Sequence, residues 1–144
     1  MGRIFKNIRR TNLVVSQRPN SSVTESFRAV RTNFQFFSGG GEKQVLLLTS
    51  TTSGEGKTFC AINLASAFAL NGHKTVILEF DLRRPKIHQD FGSSNMIGIS
   101  SYLIDKAIVD DIIMPTQIEN LDLISAGPAA PNPAELIASE KRPS

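Results

Sequence analysis

Residues Thr51 to Thr58 run Thr-Thr-Ser-Gly-Glu-Gly-Lys-Thr, and that order of residue types suits a phosphate ligand. Gly54 and Gly56 let backbone amides approach oxygens closely, Lys57 adds a compact positive charge, and the Thr58 hydroxyl can reach a divalent cation. The run fits the G-x-x-x-x-G-K-[ST] motif except at its first glycine, where Thr51 stands and its side chain narrows the conformations open to the turn. Further along, Glu79 and Asp81 close an apolar run. Carboxylates beside a triphosphate repel it unless a cation lies between. A Mg²⁺ held by the Thr58 hydroxyl and an Asp81 oxygen, directly or through water, resolves that conflict. The bland alternatives are an ordinary glycine turn for the loop and a solvated acidic turn for the pair.

Both groups need rigid elements to hold them. Val45 to Leu48 is an unbroken apolar run that predicts a strand buried on both faces. A helix from Lys57 to Asn71 follows, apolar on nearly all sides (Ala61, Ile62, Leu64, Ala65, Ala67, Phe68, Ala69, Leu70), and Gly72 is suited to end it. Thr75 to Phe80 predicts the next strand, which completes a strand-helix-strand unit with a right-handed parallel crossover. The loop and the acids then fall at the carboxyl ends of strands, where open α/β sheets bind ligands. The expected fold class is α/β, a parallel sheet of the P-loop NTPase kind with flanking helices.

Length and composition agree. With 144 residues, 40% hydrophobic content and one cysteine, the chain is expected to hold a single core and no disulfide framework. Cys60 falls within the apolar helix, where packing is its expected role, and a reducing compartment fits. Asn63 and Ser66 interrupt the best apolar stretch, which is shorter than the roughly 20 residues a membrane span needs, and no signal-peptide core is present. The net charge of +3 is uneven, because Arg3, Lys6, Arg9, Arg10 and Arg18 all precede the first acid, Glu25. Residues 1–20 therefore read as a basic segment or linker and 21–144 as the domain. The basic start could face acidic lipid, although a solvated tail is the plainer reading, and no nucleic-acid partner is expected.

A helix over 22–37 precedes the loop. Ser22 to Glu25 predicts a capping box, and Val23, Phe27, Val30, Phe34 and Phe37 predict a buried stripe. Glu25, Arg28 and Arg31 lie off that stripe, stepping round the helix by about 60 degrees each as one charged surface. A solvated face with a weak Glu25 to Arg28 pair is the alternative. Downstream, Leu82 to Pro85 predicts a basic turn, Ser100 to Lys106 a short helix, and Leu121 to Ser125 a third strand leading into Ala126-Gly127-Pro128. Asn132, Pro133 and Glu135 would cap a further helix. No apolar strand ending in aspartate follows, so the chain reads as the front part of such a domain.

These segments together resemble the cytoplasmic kinase domain of bacterial tyrosine kinases, which regulate chain length and export of capsular and exopolysaccharides. Glu25 to Arg31 fits the family's E-x-x-R-x-x-R helix, Thr49 to Thr58 its Walker A loop, Val76 to Pro85 its A′ motif, and Ala126 to Leu136 its proline-rich turn. The resemblance implies ATP and Mg²⁺ as cofactors, with nucleotide contacts from Thr52, Ser53, Gly54, Glu55, Gly56, Lys57, Thr58 and Phe59. It implies catalytic roles for Lys57 on the β- and γ-phosphates, for Asp81 with Thr58 on the metal, and for Glu79 on the substrate hydroxyl. The family usually has aspartate at position 79. It further implies a homo-oligomeric ring through Glu25, Arg28 and Arg31, and a transmembrane polysaccharide co-polymerase as separate partner or fused half. The expected location is cytoplasmic, at the inner face of the plasma membrane.

Two features depart from the family: there is one tyrosine, Tyr102, in place of a tyrosine-rich tail, and no Walker B strand. Weak or absent catalysis by the isolated chain is therefore expected. The competing readings are a MinD/ParA-like ATPase, whose signature lysine would stand at Thr52, and a non-catalytic interaction module.

Overall fold

The structure, a computed structural model, describes residues 12–39, 41, 43–49, 55–82 and 84–129. These fall into two compact units, one up to Thr75 with Ile118–Asn120, the other Val76–Gln117 with the described residues from Leu121 on.

The first unit is helical. It contains α1 (Val14–Gln17), α2 (Ser22–Phe37) and α3 (Glu55–Leu70). Helix α2 starts where Ser21 can serve its open amides: the Ser21 hydroxyl accepts from the Thr24 amide at 3.2 Å. Thr24 in turn donates its hydroxyl to the Arg18 carbonyl at 2.6 Å. The cap is thus Ser21, one residue before the expected Ser22.

Helix α2 meets α3 edge to face through two ring pairs, Phe27 on Phe59 at 5.7 Å and Phe34 on Phe68 at 5.8 Å. That seam corrects the expected buried stripe. Thr24 is fully buried and Phe27 and Phe34 are half-buried, whereas Val23, Val30 and Phe37 are exposed. The last three lie roughly 60–100° round the helix from the seam's centre, a distance hydrophobicity alone does not register.

Helix α3 ends as its glycine predicts. Gly72 has φ +91°, donates to the Ala69 carbonyl at 3.0 Å, and lets His73 donate to the Phe68 carbonyl at 3.2 Å. These two bonds form a Schellman motif that satisfies carbonyls the helix leaves open. Ile62, Leu64, Ala67 and Ala69 are buried along α3, but Cys60 is exposed, which overturns its expected packing role. The expected strand at Val45 to Leu48 is also absent. Val45 is 96% exposed and Leu47 83% exposed, and no strand forms over residues 43–49. A strand exists only through a neighbour that completes its ladder, and among the described residues this run has none.

The second unit holds, but for Thr75, a three-stranded sheet, β1 (Thr75–Leu78), β2 (Met114–Pro115) and β3 (Leu121–Ile124), in the order β1-β3-β2. Short helices α4 (Ile87–Asp90), α5 (Ile99–Leu103) and α6 (Val109–Ile112) lie between β1 and β2 in sequence. The Thr75 amide donates to the Asn120 carbonyl and the Glu79 amide to the Ile124 carbonyl, one register that makes β1 and β3 parallel as expected. Strand β2 pairs antiparallel to β3, with Met114 opposite Leu123 and Pro115 opposite Asp122. The sheet is therefore mixed where a parallel one was expected, and Pro115 sits on its edge, where a missing amide costs least.

Leu82, Ile99, Leu103, Ile112, Ile124 and Ala126 form the core of this unit, with Tyr102 packed against it. Backbone meets backbone where α5 begins. A Cβ on Gly98 would lie 2.3 Å from the Ser125 carbonyl, and one on Gly127 2.4 Å from the Ser100 hydroxyl. The Ile99 and Ser100 amides donate to the Ser125 and Ala126 carbonyls, while Asn95 accepts from the Gly127 amide and donates to its carbonyl, both at 2.8 Å. This pairing holds the chain leaving β3. The helix expected at Asn132 lies outside the described residues.

Candidate functional site

Helix α3 begins at Glu55, so Gly56, Lys57 and Thr58 occupy its first turn. Amides there have no intrahelical acceptor, and the helix dipole adds partial positive charge at the same end. Lys57 is exposed and Thr58 half-buried, so an ammonium and a hydroxyl stand beside those amides. Phe59 is committed elsewhere, to its ring contact with Phe27. Thr52, Ser53, Gly54 and the Glu55 side chain lie outside the described residues.

Two polar side chains fix α3 from the flanks. Asn63 is fully buried; its oxygen accepts from the Val15 amide at 2.9 Å. Its nitrogen donates to the carbonyls of Asn12 at 2.7 Å and Phe59 at 2.8 Å. Leu13 and Val15, both 2% exposed, are seated with it, so the part of the expected linker beyond Asn12 belongs to the folded unit. Arg31 donates from Nη1 to the Ala67 carbonyl at 3.2 Å, and its Nε is buried without a partner. Arg28 instead pairs with Glu25 on the exposed face. The single charged surface expected from Glu25, Arg28 and Arg31 therefore splits, because Arg31 turns into the helix seam.

The acids lie in the second unit, in opposite settings. Glu79 is 4% exposed, and its Oε1 accepts from the amides of Lys86 at 2.7 Å and Ile87 at 3.2 Å. Its Oε2 is buried with no partner, as is Nδ1 of His88. Burial pushes the Glu79 carboxyl above its ordinary range, against the opposing pull of those two amides and of His88, and Asp81 adds to the rise. Asp81 is exposed, and its Oδ1 accepts from the Arg84 amide at 3.1 Å. A carboxylate with raised proton affinity and one free oxygen can take a proton from a hydroxyl. An exposed one suits a hydrated cation.

Sequence reasoning missed the roles of Asn63 and His88. Asn63 registered only as a break in an apolar stretch; the available signal was that a polar residue inside a buried helix must find partners. Among the described residues no cluster of His, Cys, Asp and Glu gathers as a metal site. The Thr58 hydroxyl in the first unit and the exposed Asp81 carboxylate in the second are each oxygen donors of the hard type that Mg²⁺ takes.

Comparison with known proteins bears on this arrangement. The CobQ/CobB/MinD/ParA nucleotide binding domain matches residues 46–124. The putative tyrosine-protein kinase CapB of Staphylococcus aureus is 41% identical over 129 residues, covering 90% of this chain and 57% of CapB. The tyrosine-protein kinase YwqD of Bacillus subtilis is 36% identical over 129 residues, covering 90% of this chain and 54% of YwqD. Among solved structures, the chimerical protein CapA2B2 superposes with a TM-score of 0.84 at 40% identity, covering 90% of this chain and 57% of that one. The kinase domain of the Escherichia coli tyrosine kinase ETK gives 0.82 at 34% identity, covering 87% and 49% respectively. The chain thus spans about half the length of the relatives it matches.

Proposed function

Because the chain belongs to the CobQ/CobB/MinD/ParA nucleotide binding domain family, we propose that it is the ATP-binding part of a bacterial protein-tyrosine kinase of capsular or exopolysaccharide biosynthesis. The observation that carries this is the first turn of α3, where Lys57 and Thr58 stand beside open amides at a helix N-terminus. The relatives named above as tyrosine kinases support the chemistry that follows.

In this reading the α3 amides and Lys57 bind the terminal phosphates of ATP and orient them for transfer. Mg²⁺, when bound, offsets the charge building on those oxygens, with Thr58 and Asp81 as its protein donors. Glu79 accepts the proton of a tyrosine hydroxyl at Oε2 once that buried oxygen is uncovered to the substrate, and the Lys86 and Ile87 amides fix its Oε1. The one tyrosine of this chain, Tyr102, packs against a core, so the acceptor tyrosines come from elsewhere. The Glu25–Arg28 face of α2 contributes to a ring of copies at the cytoplasmic side of the membrane, beside a polysaccharide co-polymerase. A MinD/ParA-like ATPase is less well supported, since Thr52 stands where that group has its signature lysine.

Thermal unfolding with ATP and Mg²⁺ tests the assignment. A ligand at about 100 times its Kd stabilises by about 2.7 kcal/mol, which for a chain of this size is roughly 5–10 °C in Tm. Lys57→Ala should abolish the shift while leaving the ligand-free Tm within about 2 °C, as for an exposed side chain. A wild-type chain with no shift, or a Lys57→Ala chain with the full shift, would refute the site.

A further inference from the structure

The buried Asn63 carboxamide is nearly saturated: both Nδ2 hydrogens and one Oδ1 lone pair are engaged. Two of its three partners, the Asn12 carbonyl and the Val15 amide, lie in a segment about fifty positions away in sequence. The third, the Phe59 carbonyl, immediately follows Thr58 in α3. One side chain thus ties the N-terminal segment to the helix turn that carries Lys57 and Thr58. Leu13 and Val15 seal the junction from water, and Thr24 holds the segment's far end through the Arg18 carbonyl.

We infer that residues 12–15 form a strap, latched by Asn63, whose seating on α3 is positively coupled to phosphate binding at Lys57 and Thr58. The inference rests on the nucleotide reading above. Lifting the strap leaves the Asn63 donor and acceptor without their Asn12 and Val15 partners in a site closed to water. The carboxamide then turns or the helix shifts to admit solvent, and either change strips the Phe59 carbonyl of its second, side-chain bond and loosens the turn it braces. An ordered first turn and a seated strap therefore favour each other. Linkage requires that a ligand bound at that turn tighten the strap by the same factor by which the strap tightens the ligand. Asn63 acts here as a positioning residue, through α3.

The test uses the full chain and ADP with Mg²⁺. Hydrogen exchange of the Val15 amide reports strap seating directly, because that amide is the donor to Asn63. Saturating ADP should slow its exchange at least about 5-fold, the lower end of ordinary coupling. The Ile99 amide, fully buried in the other unit and bonded to the Ser125 carbonyl, gives the baseline for changes in global unfolding. Asn63→Leu, close in shape but unable to latch, should weaken ADP by a similar factor in calorimetry well below its Tm. A purely structural asparagine would lower Tm and leave that affinity unchanged. If ADP binds the wild type while Val15 exchange slows no more than Ile99 exchange, the coupling is overturned even should the Leu variant fail to fold. If ADP does not bind the wild type at all, the nucleotide reading falls, and the strap's role with it.

Discussion

The Glu79 carboxyl makes a prediction whose sign follows from its surroundings. Its ordinary value is 4.5, and burial raises it in the folded chain against two amide donors and the charge of His88. Between the ordinary and the raised value the native state holds a proton that the unfolded chain has already lost. The unfolding free energy therefore falls as pH rises through that window and is level on either side of it. A single group cannot exceed about 1.4 kcal/mol per pH unit, and the total loss is that slope times the width of the window. Glu79→Gln keeps the oxygen that Lys86 and Ile87 bond and removes the titration. Urea unfolding of both proteins at fixed ionic strength, from about pH 4 to 8, isolates Glu79 together with its coupling to His88 and Asp81, because titrations independent of Glu79 cancel in the difference. The glutamine protein should gain on the wild type as pH rises and then hold a constant lead. A level difference would mean that the amides and His88 balance burial, and a fall would mean that they exceed it. Either outcome would remove the raised proton affinity on which Glu79's role as base depends.

Two pairs of substitutions test the packing. Leu123 is fully buried, and its change to alanine should cost about 2–5 kcal/mol. Leu47→Ala, at an exposed site, should stay within about 0.5 kcal/mol in the same denaturant titration, and an equal cost would mean that the 45–48 run is buried after all. Arg31→Ala breaks a charged donor's bond into α3 and should cost about 1–2 kcal/mol, whereas Arg28→Ala loses an exposed ion pair and should cost less than about 1 kcal/mol. The reverse order would show that Arg31 is not part of the helix seam.

Local chemistry was legible in the sequence wherever a residue type has few uses. Gly72 ends α3 as its position implies, β1 and β3 run parallel, and the turn at Ala126-Gly127 follows β3. What could not be read was which neighbour a residue faces. Val30 and Phe34 are equally apolar, yet only Phe34 meets a ring from α3. Arg28 and Arg31 share a motif, but one pairs along its own helix and the other across to α3. Cys60 and Val45 lie in apolar runs and are exposed, since burial depends on what covers a side chain as well as on its own hydrophobicity. Around Glu79, the sequence singled out the acid but not the turn at 86–88 that shapes its setting, because that contact closes a loop through backbone amides common to every residue type.

The Gly98–Gly127 junction bears on how the second unit would survive damage. Asn95 to Ser100 is hydrogen-bonded to Ser125 to Pro128, while the exposed turn at Ile104 to Lys106 lies between those two stretches in sequence. A chain nicked at that turn would still have its two pieces clasped backbone to backbone, with Leu103 and Ile112 buried in a common core. The cut ends would be free, yet the carboxyl end of β3 would stay in place. The unit would in this sense be divisible, with a clasp built around the close approach of two glycines joining what the break had separated.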